Sequence, residues 1–96
     1  MSSDYLQVGR LLQTRTVADV SKANPVFARE VLDSIHKFRS YEWGDTCPED
    51  ARLNDRAVRR KDDRLLAKYR TVEGNLFITM DDWEERIVTV LFASEY

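Results

Sequence analysis

The chain has 96 residues, of which 43% are hydrophobic, with only three Gly and two Pro. That describes one folded domain, residues 1–96, without long linkers, burying roughly two thirds of its unfolded surface. A net charge of -2 excludes a global electrostatic pull toward nucleic acid or anionic membrane, and nucleic acid is not an expected partner. The single cysteine, Cys47, excludes an internal disulfide and fits a reducing cytoplasm. No apolar run approaches the ~18 residues of a membrane helix. No basic segment followed by an apolar run marks a signal peptide, so a cytoplasmic location is expected.

In chain order, Leu6, Val8 and Leu12 among Gln7, Arg10 and Gln13 predict a strand over residues 7–13, bent at Gly9. Thr16 offers an N-cap for about two helical turns. Asn24-Pro25 ends that helix and begins another, because Asn caps well and Pro at the first helical position wastes no amide hydrogen. Phe27, Val31, Ile35 and Phe38 then share one helical face as far as Arg39. Two short helices at a tight joint have the outline of a helix-turn-helix. However, the would-be reading helix spends its apolar residues on the core and has balanced charges.

The central stretch, Ser40 to Ala57, turns on Trp43-Gly44 and restarts under Thr46-x-x-Glu49, a capping-box spacing. A helix over 48–60 follows, thin in apolar residues and therefore expected on the surface. Trp43, Gly44, Thr46 and Glu49 are read as structural. Leu65 to Tyr69, Leu76 to Met80 and Arg86 to Phe92 predict three strands, and short turns join them as an antiparallel meander. The predicted class is α+β: an N-terminal strand and two to three helices packed on a C-terminal three-stranded meander. The second and third strands are apolar on both faces. One face meets the helices, leaving the other for the N-terminal strand, a partner or a second copy in a homodimer.

Trp43-Gly44-Asp45, Glu49-Asp50, Asn54-Asp55-Arg56-Ala57, Arg64-x-Leu66-x-x-Tyr69, Ile78-Thr79, Thr89-x-Leu91 and Glu95-Tyr96 stand in an ordered series. That series resembles a family of small proteins carried by plasmids, conjugative elements and phages of bacteria. The likeness spans Trp43 to Tyr96. This chain departs from it in a longer loop after Met80 and in Ala93-Ser94 where the family has Pro. The resemblance implies a mobile-element origin and no particular reaction.

No catalytic set, cofactor site or metal site emerges. His36 is the lone histidine, Cys47 lacks a basic neighbour in sequence, and no Gly-rich phosphate loop or Gly-x-Ser-x-Gly elbow occurs. Charge is segregated. Arg56, Arg59, Arg60, Lys61 and Arg64 form a basic stretch within residues 52–70, whereas Asp81, Asp82, Glu84 and Glu85 surround Trp83. The two groups either neutralise each other across a solvated face or meet different partners. The leading expectation is a non-enzymatic interaction module that binds a host or element-encoded protein, for instance in an anti-defence role against a CRISPR complex. Acids would steer it to a basic surface and Trp83 would bury there. The alternative is an RNA binder or a ribonuclease toxin of the RelE and ParE type. Its basic stretch would hold phosphates, with Tyr69 or Arg86 assisting transfer.

Overall fold

A computed structural model describes residues 5–96. The elements run β1 (Arg10–Gln13), α1 (Arg15–Ala23), α2 (Pro25–Arg39), α3 (Pro48–Arg60), β2 (Leu65–Thr71), β3 (Gly74–Met80) and β4 (Ile87–Phe92), then a 3-10 turn at Ala93–Glu95. The class is α+β, and β2, β3 and β4 form an antiparallel meander. The sheet itself is four-stranded and mixed, in the order β1-β4-β3-β2, because β1 pairs parallel with β4. The N-terminal strand therefore extends the sheet at its edge and does not lie over a face.

That strand is also shorter than the expected 7–13. The amides of Gly9 and Arg10 both donate to the Arg86 carbonyl, at 2.9 and 3.3 Å, so regular pairing begins only at Arg10. Residues before it are held elsewhere: Leu6 N–H donates to the Arg39 carbonyl at the end of α2 (2.8 Å), and Leu6 is buried. Gly9 is required by close approach, since a Cβ there would collide with the Glu85 carbonyl.

At the other end of β1 the helix cap is Thr14 and not Thr16. Thr14 N–H makes the last bond to β4, donating to Val90 (3.1 Å), while its hydroxyl oxygen accepts from Val17 N–H (3.3 Å). One residue thus ends the strand and starts the helix. The Thr14 hydroxyl also donates to Glu95 (2.9 Å), which accepts the Phe92 amide (2.8 Å). Those donors, Phe92 N–H foremost and then Thr14 and Thr16, hold the Glu95 carboxyl below the usual range against a smaller opposing effect of burial.

Asn24 caps α2 as expected, accepting from the amides of Val26 and Phe27 (3.0 and 3.3 Å) with Pro25 in the first turn. The predicted face is turned inward: Phe27, Val31 and Phe38 are buried and Ile35 is half-buried. It covers the sheet face formed by alternate residues of the meander, such as Ala67, Ile78 and Val90, which lie in register. Phe27 stacks on Phe92 at 5.4 Å. The opposite face carries half-buried Leu66, Phe77 and Leu91, partly closed by Tyr96, whose ring meets Phe77 edge-on at 5.2 Å.

Candidate interaction surface

An outer strand presents a row of N–H and C=O groups to solvent, a template for another chain. The outer strand β2 is sealed by the residues around the Trp-Gly turn. Asn54 on α3 pairs with the backbone of Leu66 as a neighbouring strand would: its Nδ2 donates to Leu66 O (2.9 Å) and its Oδ1 accepts Leu66 N–H (3.1 Å). Thr46 Oγ1 accepts Lys68 N–H (2.8 Å) and donates to the Trp43 carbonyl. The Asp45 amide donates to Lys68 O (2.8 Å), and its carboxylate accepts Arg70 N–H (2.8 Å). From the Leu66 amide to the Arg70 amide the outward backbone groups of β2 are therefore occupied.

The remaining residues of the turn support that seal. Gly44 has φ +62° and bridges to Lys68, and the Tyr69 ring fills the place a Cβ would take. Trp43 is buried edge-on against Phe38 (5.6 Å), with its indole N–H donating to Asp55 (2.8 Å). Tyr69 is buried too, donating its hydroxyl to the Glu42 carbonyl (2.7 Å). Burial, and secondarily the Glu42 charge, pushes its phenol pKa well up. The expected capping box is absent. Cys47, not Thr46, is the N-cap of α3 and makes no side-chain cap bond, and the Thr46 hydroxyl is engaged with β2 instead. Glu49 lies exposed in the first turn, where it faces the positive end of the helix dipole.

The acidic and basic groups meet at one pair, Arg64 and Asp81. Trp83 is half-buried, and its indole N–H donates to the Asp63 carbonyl (2.7 Å), fastening loop 81–85 to the segment between α3 and β2. Asp82 and Trp83 further accept from the Arg86 backbone and side chain (2.6 and 3.1 Å). Trp83 thus pins the loop, leaving Asp81, Asp82, Glu84 and Glu85 as its exposed part. Arg64 pairs with Asp81 at 3.6 Å, with both side chains in solvent, so the pair contributes at most about 1 kcal/mol. Arg56, Arg59 and Arg60 share the outer face of α3 with Arg52, and Lys61 follows at its C-cap with φ +55°. Among the described residues none of these is ion-paired. Arg56 and Arg60 border an open hollow of about 440 Å³ with Leu53 and Asp63. Tyr69 lies in the core and Arg86 against Trp83, so neither joins that arginine face.

Among the described residues, the other outer strand, β1, is open. Arg10 and Thr14 turn their N–H groups inward to β4, so by strand alternation Leu12 does the same, and Leu11 and Gln13 direct theirs outward. All of β1 is exposed, with Leu11 at 50% and Leu12 at 41%. Leu11 and Gln13 are in register with Val88 and Val90, on the helix-covered face, and Leu12 with Thr89 on the opposite one. Between β1 and α2 lies an apolar groove of about 230 Å³, bordered by Leu11, Gln13, Val31, Leu32, Ile35 and Val90. Leu32 stands 60% exposed at its rim.

No family model, curated protein or solved structure matches the chain. Sequence reading passed over Leu11 and Leu32, and it placed Asp45 and Asn54 only in the ordered series around Trp43, with no role in sealing β2. A signal was present for the leucines: Leu11-Leu12 puts an apolar side chain on each face of a strand, and Leu32 departs from the inward stripe of α2.

Proposed function

We propose that this chain is a non-enzymatic protein-interaction module of a mobile genetic element, acting by contact on a host or element-encoded protein. The observation that carries the reading is the unequal treatment of the two outer strands. β2 is closed bond by bond, whereas β1 keeps outward amides and carbonyls beside an apolar groove. Strand addition uses those two features together: main-chain bonds supply affinity and the groove takes alternate side chains. The sequence pattern around Trp43 supports the mobile-element origin. An anti-defence target such as a CRISPR complex is the host-side form of the same proposal.

This reading places contact at β1 in preference to loop 81–85, because Trp83 is already engaged with Asp63. A capture experiment with tagged protein separates the two surfaces. Leu11→Lys/Leu12→Lys is expected to abolish a specific protein partner that the unaltered chain retains, because charge on an exposed strand edge blocks pairing. Asp81→Asn/Asp82→Asn/Glu84→Gln/Glu85→Gln is expected to retain it. The reverse pattern moves the contact to the acidic loop. The unpaired arginines of α3 favour a second reading, contact with a nucleic-acid backbone. That reading requires binding to single-stranded RNA that weakens steeply with salt and disappears on Arg56→Glu/Arg60→Glu.

A further inference from the structure

Resting on the reading of β1 as a strand acceptor, we infer that its occupant is β1 of a second copy, joining two sheets into one across a two-fold axis. A strand paired with its own symmetry mate across such an axis runs antiparallel, and the partners must both direct their backbone groups at each other. Only Leu11 and Gln13 qualify, since Arg10 and Thr14 bond inward and the Gly9 amide is spent on Arg86. The register that uses both is centred on Leu12. Leu11 of each copy then exchanges N–H and C=O bonds with Gln13 of the other, and the two Leu12 side chains face each other across the axis. Centring on Leu11 would draw in Gly9, whose amide is taken, and centring on Gln13 would draw in Arg15, which is already helical.

Charge agrees with that register. Arg10 falls opposite Thr14 of the other copy, and no like charges are apposed. The layers agree as well. A lone extended peptide covers the edge and enters the groove, whereas a second copy also brings its own α2 alongside Leu32 at the rim. Leu11, Leu32 and Ile35 of both chains are then buried as strand meets strand and helix meets helix. The exposed leucines at this edge are thus self-complementary in both layers.

Sedimentation equilibrium of the full chain over a wide concentration range is expected to show a reversible species of twice the 11.3 kDa chain mass. Leu11→Lys/Leu12→Lys should hold it at the monomer mass with unchanged circular dichroism. The register is read by oxidation in a Cys47→Ser background. In a non-hydrogen-bonded antiparallel pair the Cα atoms lie about 4.5 Å apart, within disulfide reach. Leu12→Cys should therefore cross-link to a dimer, and Gln13→Cys, held more than about 7 Å from its mate, should not. Cross-linking through Gln13 but not Leu12 overturns the register. A monomer at every concentration overturns self-pairing. Strand acceptance itself then stands only if the lysine variant loses a captured partner, and it falls with the dimer if capture persists.

Discussion

At the scale of single residues, polar side chains in this fold are placed where backbone groups need them. Tyr69 shows the cost and the gain together: its ring takes the space beside Gly44, and its hydroxyl satisfies the Glu42 carbonyl at 2.7 Å. The raised phenol pKa has a consequence for stability. The unfolded chain releases this proton near pH 10, while the folded chain holds it to higher pH. The contribution is fully present below about pH 10 and is lost as pH rises from there toward the folded value. Denaturant melts between pH 8 and 11.5 should thus show a steeper alkaline loss in the unaltered protein than in Tyr69→Phe. At neutral pH the variant should be less stable by about 1 kcal/mol, the hydrogen bond removed. Equal alkaline slopes would assign the loss to other groups. Thr14 and Thr46 teach a related lesson. Both hydroxyls are near helix starts in sequence, and so are Thr16 and Glu49. Which one caps is decided by β4 and β2, whose backbones are distant in sequence and invisible to a local pattern.

Among elements, α3 illustrates how a helix with little apolar content earns a fixed position. Asn54 and Ala57 are its buried residues, and Asn54 does for β2 what a further strand would do. Truncating it to Ala strands the amide and carbonyl of Leu66 beneath the helix. The expected cost is about 1–3 kcal/mol, above the typical surface substitution, because the groups left behind lose their partners without gaining free access to water. Asn54→Asp keeps the acceptor for Leu66 N–H but opposes the Leu66 carbonyl, and should recover only part of the loss. Thermal melts of the two variants check this, and an effect of Asn54→Ala below about 0.5 kcal/mol would show that the seal contributes little. The helix itself was legible over 48–60 because Pro48, the first-turn acids and the polar break after Arg60 are local signals. The strands of the meander were legible from their β-rich runs. The parallel pairing of β1 was not, since its partner lies over seventy positions away in sequence and a short exposed segment carries no mark of its neighbour.

For the whole molecule, the two ends of the sheet make opposite predictions in one measurement. Native-state amide exchange reports which N–H groups are bonded, and an outer strand ordinarily exchanges fast on its outward amides. β2 should break that expectation. Leu66, Lys68 and Arg70, held by Asn54, Thr46 and Asp45, are expected to exchange nearly as slowly as the inner amides of the meander. β1 should behave asymmetrically in dilute solution. Leu12 and Thr14, directed at β4, should be slower than Leu11 and Gln13, directed at solvent. Concentrating the protein should then slow Leu11 and Gln13 while leaving Leu66 and Lys68 unchanged, because a second strand protects the open edge and has nothing to add at the closed one. Protection at Leu11 and Gln13 that is already high in dilute protein would mean that the edge is covered within one chain, and the case for β1 as the contact strand would fail with it. The sealed edge is independent of that outcome, since it rests on side chains of the same chain.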